Sequence, residues 1–236
     1  MTIGIDFAER VAIVTGGGRG VGRGIAERFL AAGAEVVICG RSEVKSLPEA
    51  DGRSAVFTAA DVREPEAATS VVAFARERFG RVDFLVNNAG GAPEADAATV
   101  SPRFSESIIR LNLLAALHFS QAANAVMQEQ ESGGAIVHVS SVSALRPSPG
   151  TAAYGAAKAG LLSLAQSLAV EWAPKVRLNT IAAGMIRTEQ AHLHYGDEAA
   201  IARVSATVPL GRLGTPGDVG DACLFLCSPL AKYISG

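Results

Sequence analysis

The sequence predicts an α/β fold: a single domain of three α/β/α layers built on a doubly wound parallel sheet. Three observations carry that reading. Six short runs rich in Val and Ile alternate with segments of helical periodicity. The first run passes through a glycine-rich turn into a helix within 33 residues. No linker, repeat or low-complexity tract divides positions 1–236, so they read as one unit, with 185–210 as an excursion within it.

Val11-Ala12-Ile13-Val14 is the first strand, and Thr15-Gly16-Gly17-Gly18-Arg19-Gly20-Val21-Gly22 follows it. Ile25, Ala26, Phe29 and Leu30 then recur at helical spacing, and Gly33 ends the helix. Glycines in that position let the backbone approach a pyrophosphate at a helix N-terminus, where free N–H groups and the dipole favour anions. Residues 35–40 form the second strand. An acid at its end would bind a ribose 2′-hydroxyl and favour NAD. This chain has Gly40 and then Arg41, with Arg19 in the glycine turn. Two guanidiniums without a carboxylate suit a 2′-phosphate, so NADP is expected ahead of NAD. The other reading leaves Arg19 and Arg41 covering an adenine ring or facing solvent.

Pro48 and Gly52 predict a short or broken helix after the second strand. Residues 54–60 return as a strand, with Asp61 and Val62 at the end that faces the ligand crevice. Residues 65–79 form a helix whose inner stripe is Val71, Val72, Phe74, Ala75 and Phe79, stopped by Gly80. The fourth strand, 82–86, runs into Asn87-Asn88-Ala89-Gly90-Gly91, where small residues let a flat ligand lie on the strand end. A long helix is predicted over 105–127, with Asn112 set among Ile108, Ile109, Leu111, Leu113 and Leu114. An amide in that setting either caps a neighbouring carbonyl or holds a water in a proton relay. Residues 135–139 form the fifth strand, ending in Ser140-Ser141.

Tyr154-Gly155-Ala156-Ala157-Lys158 opens the next helix, thirteen residues beyond Ser141. A phenol and an ammonium at i and i+4 share a helix face, their Cβ atoms about 5–6 Å apart. The ammonium favours the tyrosinate and draws its pKa down, which suits a group that gives a proton to an alkoxide or takes one from an alcohol. On the same helix, 154–172, Leu161, Leu162, Leu164, Leu168 and Val170 cover most of the circumference. That pattern predicts burial on both faces, one against the sheet and one against a partner in a homo-oligomer, a dimer or tetramer. The sixth strand is 175–181, and Ala182 to Thr188 opens a loop at its carboxyl end. The polar stretch 189–209 reads as a lid or a substrate-binding excursion, and His192 and His194 within it as ordinary surface residues. A last helix starts at Thr215-Pro216-Gly217-Asp218, with Val219, Ala222, Cys223, Phe225 and Leu226 inward.

Composition narrows the function. Apolar residues make up 49% and charged residues 19%, enough for a large core. A net charge of −2 without long runs of one sign argues against nucleic acid or an anionic membrane as partner. No apolar run is long enough to span a bilayer, and the first ten residues resemble neither a signal nor a transit peptide. Cys39, Cys223 and Cys227 lack metal-ligand spacing and read as core hydrophobes in a reducing, cytoplasmic setting, so no metal is expected.

Together the glycine turn 15–22, Asp61-Val62, Asn87 to Gly90, Asn112, Ser141, Tyr154 with Lys158, and Ala183-Gly184 with Thr188 resemble the short-chain dehydrogenase/reductase family, in its order and spacing along the whole chain. The resemblance implies a Rossmann-type fold and an NAD(P)(H)-dependent oxidoreductase that interconverts a secondary alcohol and a ketone. It implies Tyr154 as the acid/base, Lys158 as the group that tunes it and holds the nicotinamide ribose, Ser141 on the substrate oxygen and Asn112 on a relay water. Gly16, Arg19, Gly20, Val21 and Gly22 would line the pyrophosphate turn, with Arg41 at the adenosine end. Asp61 and Val62 would meet the adenine, and Asn88, Ala89 and Gly90 the adenosine side. Gly184, Ile186 and Thr188 would face the carboxamide. Three departures stand out. Ala183-Gly184 replaces the family's usual Pro-Gly, the stretch from Arg41 to Asp61 is short, and Gly236 falls where the family's seventh strand begins, so a strand beyond Gly236 is expected. Ala92, Pro93, Leu145, Pro147, Met185 and Leu193 suggest an apolar substrate pocket for a lipid-, steroid- or acyl-thioester-like skeleton. The alternative is a catalytically weak NAD(P)-binding regulator of the same fold. Epimerisation or dehydration would ask for a larger substrate domain than this chain has room for.

Overall fold

The structure, a computed structural model, describes residues 4–236 apart from the His194 side chain, so the readings of Met1 and of His194 lie outside the described residues. The chain runs β1 (Val11–Thr15), α1 (Gly20–Ala31), β2 (Glu35–Gly40), β3 (Glu49–Ala50), β4 (Arg53–Ser54), β5 (Val56–Ala59), α2 (Pro65–Phe79) and β6 (Phe84–Asn87). It continues through α3 (Pro102–Ile109), a π-turn (Arg110–Leu114), α4 (Ala115–Glu129), β7 (Gly134–Ser141), α5 (Ala152–Glu171) and β8 (Val176–Ala183), and ends with α6 (His192–Tyr195), α7 (Glu198–Ala206) and α8 (Pro216–Cys227). Six strands pair in parallel in the order β5-β2-β1-β6-β7-β8. The strand order reverses between β1 and β6, and ligands of such sheets bind outside the carboxyl ends at that point.

Strand alternation sorts the core into two layers. Ile13 and Leu85 face one way, onto Phe119, Met127, Leu168 and the α2, α4 and α5 side. Val14, Ile38 and Val86 face the other way, onto Ile25, Phe29, Val219 and Cys223 of α1 and α8. All three cysteines are buried and free, and burial pushes the thiols up, Cys39 to about 12. Among the described residues no helix is long and apolar enough to cross a membrane.

Two expectations change, the β2–β5 crossover and the long helix. The crossover from β2 to β5 holds no helix at all but a two-stranded hairpin, β3 with β4, turning through Asp51 (φ +49°) and Gly52 (φ +75°). Val44, Leu47 and Ala50 from this segment do the covering a helix would have done. The long helix starts at Pro102 rather than 105, because the Ser101 hydroxyl caps the Phe104 N–H. It is interrupted by the π-turn around Asn112. Helix α5 covers the sheet with one face, and on the face expected to meet a partner Ala156, Ser163, Gln166 and Ser167 are exposed and Val170 is 80% exposed. At the other end, residues 234–236 lie along β8, where the Gly236 N–H donates to the Leu178 carbonyl at 2.8 Å and the Leu178 N–H to the Ser235 hydroxyl at 3.3 Å.

Candidate active site

The predicted residues gather at the carboxyl ends of β1, β6, β7 and β8. The turn after β1 is shaped by what it cannot carry. Gly16 (φ +66°) and Gly20 (φ +52°) sit in the left-handed region. A Cβ on Gly22 would strike the Gly16 carbonyl and the Asn88 amide, and one on Gly17 would strike Ile38. Arg19 occupies the N-cap of α1 without a side-chain cap, and no acid stands in the first turn of that helix. The exposed N–H groups and the positive dipole end therefore face the crevice.

Thr15, absent from the predicted set, ties this turn to β6. Its hydroxyl accepts from the Asn88 and Ala89 N–H groups, both at 3.0 Å, while the Asn88 side chain donates to the Thr15 carbonyl at 2.9 Å. The amide of Asn87 points the other way. It donates to the Ser120 hydroxyl at 3.0 Å, and Ser120 in turn meets His138 Nε2 at 3.0 Å. Burial holds the His138 ring near pKa 4, hence neutral, so this chain of contacts anchors α4 to the sheet. At the adenosine end the structure adds a partner to Asp61. The Asp61 carboxylate is engaged by Arg63, whose Nε lies 2.9 and 3.1 Å from its two oxygens, and the guanidinium holds it near pKa 2, with the charge of Arg41 helping. Val62 is buried in the core. Arg19 and Arg41 are exposed and make no side-chain hydrogen bond among the described residues.

Asn112 caps carbonyls, the first of its two readings. Its Oδ1 accepts from the Gly91 N–H at 2.8 Å, and its Nδ2 donates to the Gly91 and Ile108 carbonyls at 2.9 and 3.0 Å. The π-turn rotates this amide out of the helix register toward β6, a use such turns often serve. A Cβ on Gly90 would lie 2.6 Å from Asn112 Oδ1 and 3.2 Å from Lys158 Nζ, so three separate elements converge at one point.

Ser141 ends β7, and its hydroxyl accepts from the Ser143 N–H at 3.2 Å and lies close enough to the Tyr154 phenol to draw its pKa down. The approach is close because Gly155 lies against the Ser143 carbonyl, where a Cβ would come within 3.0 Å. Lys158 is 3% exposed, and its ammonium donates to the Val139 carbonyl at 2.8 Å while lying 5.7 Å from the Tyr154 ring centre. Burial without a carboxylate draws its pKa down to about 8. The Tyr154 phenol is not lowered as the pairing suggested: burial raises it, the Ser141 contact opposes the rise, and a second phenol, Tyr195, adds to it.

The loop after β8 completes the wall. Ala183 stays in the sheet, paired with Ser141, where the family's proline would end the ladder. Gly184 has open space around it. Ile186 is bridged to Gly214, and the Thr188 hydroxyl accepts from the Gln190 N–H at 3.3 Å. Beside Tyr154 a hollow of about 90 Å³ is lined by Ala92, Pro93, Val100, Phe104 and Ile108, with Ser105 and Thr151 among the polar groups of its wall. Phe104 and Ile108 come from α3, which the sequence reading had not assigned to the pocket. Leu145 and Leu193 stand exposed instead, at 67% and 66%.

These residues fit a dinucleotide. The backbone cradle at Gly22 and Gly90 has no room for a side chain, and the helix N-terminus carries no acid of its own. Gly22→Ala is therefore expected to abolish dinucleotide binding, measured by fluorescence titration, because backbone rather than a flexible side chain must move.

A family model described as enoyl-(acyl carrier protein) reductase matches residues 16–236. L-Rhamnose 1-dehydrogenase (NAD(P)(+)) of Azotobacter vinelandii is 39% identical, over 97% of this chain and 93% of that protein. The 3-oxoacyl-[acyl-carrier-protein] reductase of Escherichia coli is 34% identical, over 98% of this chain and 95% of that one. Among solved structures, the aldohexose dehydrogenase of Thermoplasma acidophilum superposes with a TM-score of 0.89 at 29% identity, over 98% of this chain and 91% of its own. A short-chain dehydrogenase/reductase of Brucella melitensis superposes at 0.87 with 30% identity, over 99% and 95%. With the glycine turn, the Ser141–Tyr154–Lys158 cluster and these matches agreeing over nearly the full length, the chain belongs to the short-chain dehydrogenase/reductase family and is an NAD(P)-dependent oxidoreductase of alcohols and ketones.

Proposed function

We propose that the protein interconverts a secondary alcohol and a ketone on an apolar, lipid-, steroid- or acyl-thioester-like skeleton, with NADP(H) preferred over NAD(H). The observation that carries this is the Ser141–Tyr154 pair beside a hollow walled by Ala92, Pro93, Val100, Phe104 and Ile108 with Ser105 and Thr151. When bound, the nicotinamide supplies or accepts the hydride. The chain does the rest. Ser141 and Tyr154 direct two hydroxyls at one substrate oxygen, and Tyr154 delivers the proton as that oxygen gains charge. Lys158 holds a positive charge behind the phenol and hydrogen-bonds ribose hydroxyls. Asn112 keeps Gly90 and Gly91 in place, and a water on its helix would relay protons to Lys158.

The cofactor preference rests on Arg19 and Arg41, exposed and making no side-chain hydrogen bond to a carboxylate among the described residues, with Asp61 paired to Arg63. Arg41→Ala is expected to raise the KM for NADPH by roughly 10–100-fold and leave that for NADH unchanged, the loss of a charge-assisted contact. A panel of 3-oxoacyl thioesters, oxosteroids and simple ketones with NADPH and NADH, and of aldoses with NADP+ and NAD+, tests both parts. Turnover of aldoses alone would overturn the apolar assignment, and a preference for NADH would overturn the cofactor assignment. The same proposal places the protein in the cytoplasm as a homo-oligomer, supported by three unpaired buried thiols and by the exposed Val170 on α5.

A further inference from the structure

Segment 186–195 reaches the crevice through one direct contact, and two hydrogen bonds within the segment take up further groups expected to hold the dinucleotide. The Glu189 carboxylate accepts from the Gly20 N–H at 3.0 Å, on the N-terminus of α1 where the pyrophosphate belongs. Thr188, whose methyl would lie 3.6 Å from a Cβ on Gly20, has its hydroxyl taken by the Gln190 N–H. The Tyr195 hydroxyl takes a hydrogen bond from the Ile186 backbone and lies near enough to Tyr154 for the two phenols to feel each other. Helix α1 offers no acid of its own in its first turn, so a carboxylate from 169 residues away supplies the missing negative charge.

The geometry points to a strap that seats itself in the cofactor's place: Glu189 stands in for the pyrophosphate and Tyr195 for the carboxamide, and both must let go before a dinucleotide seats. The inference rests on the dinucleotide reading above. One contact across the crevice and two within the segment engage groups expected to serve one occupant, and that coincidence distinguishes it from a lone carboxylate on a helix end. The strap has little else to hold it down. Its short helix α6 packs through Ala191 and Tyr195 onto Ile201, Leu213 and Met185, a small cluster separate from both main cores. Arg187 is pinned to Glu198 on α7, so the part free to swing starts after it. A competing internal occupant lowers apparent affinity by the fraction of molecules in which it has let go. It also shields the N–H groups and the Tyr154 phenol from stray anions while no cofactor is present.

The test is equilibrium binding, read by NADPH fluorescence on the intact protein, with Glu189→Ala, Glu189→Gln and Tyr195→Phe. Glu189→Ala is expected to tighten NADPH binding by roughly 3–30-fold, the range set by a charge at a helix N-terminus. Glu189→Gln, which keeps an acceptor but not the charge, should fall between it and wild type. Tyr195→Phe should tighten binding through a different contact, and it keeps the question open to test should the Glu189 variants not fold. Inorganic pyrophosphate should also bind Glu189→Ala more tightly than wild type. Unchanged or weaker binding in all three variants would overturn the strap while leaving the cofactor reading intact. Failure of wild type and variants alike to bind either NADPH or NADH would overturn both.

Discussion

Tyr154→Phe is expected to lower kcat by roughly 10²–10⁴-fold, the span that one positioned general acid/base contributes, while NADPH affinity stays within about twofold. The substitution removes one oxygen and keeps the ring that packs beside Gly155 and the hollow. Folding should be spared, so circular dichroism and thermal melting act as the control. The free phenol is raised by burial rather than lowered. It is therefore protonated at neutral pH, the form needed to give a proton to a ketone oxygen. Ketone reduction should accordingly be favoured near pH 7, and alcohol oxidation should speed up as pH rises. A Tyr154→Phe enzyme with unimpaired turnover would remove the phenol from the mechanism.

Lys158→Met is expected to cost catalysis and to stabilise the fold. The ammonium is buried with a carbonyl partner but no carboxylate, and its pKa falls from 10.5 to about 8. Between those values the unfolded chain binds more protons than the native one, so stability rises with pH across that window. Below pH 8 the penalty for burying the charge is present in full. Replacing the charge by an apolar side chain of similar length should therefore raise stability at pH 7 by about 1–3 kcal/mol, the gain seen when buried charges are exchanged for packed hydrophobes. The advantage should shrink as pH approaches 10.5, readable as converging denaturant midpoints. Activity should drop by roughly 10²-fold or more, because the phenol loses the charge that stabilises its ionised form. A variant that is both active and no more stable would show that Lys158 carries no functional charge. Such opposition between stability and activity is characteristic of residues kept for chemistry.

What could be read from the sequence was whatever depends on short-range spacing. The strand–glycine turn–helix unit, the β-branched core strands and the four-residue step from Tyr154 to Lys158 are local patterns, and each is where it was expected. Features set by competition between distant groups were not legible. Nothing local says that Arg63 captures Asp61, although the two stand two positions apart, because an adenine contact and an ion pair draw on the same carboxylate. The hairpin β3–β4 replaced a weak helix because Pro48 and the Asp51-Gly52 turn satisfy the backbone in fewer residues. The π-turn at Asn112 arises from a tertiary demand, Gly91 needing both a donor and an acceptor, that no periodicity shows. Tyr195 and Glu189 lay in a stretch read only as a lid or a substrate-binding excursion. The usable signal was the absence of an acid in the first turn of α1, which leaves that helix end to be answered from elsewhere.

The central claim is that Ser141 and Tyr154 present a carbonyl carbon for hydride addition and protonate its oxygen. NADPH carrying deuterium on the transferred position of C4, incubated with the ketone panel, tests it most directly. The account predicts one deuterium on the carbinol carbon of the product for each NADPH oxidised, at the same carbon but far more slowly with Tyr154→Phe. Oxidation of NADPH without label in an alcohol, or no ketone in the panel reduced at all, would contradict it.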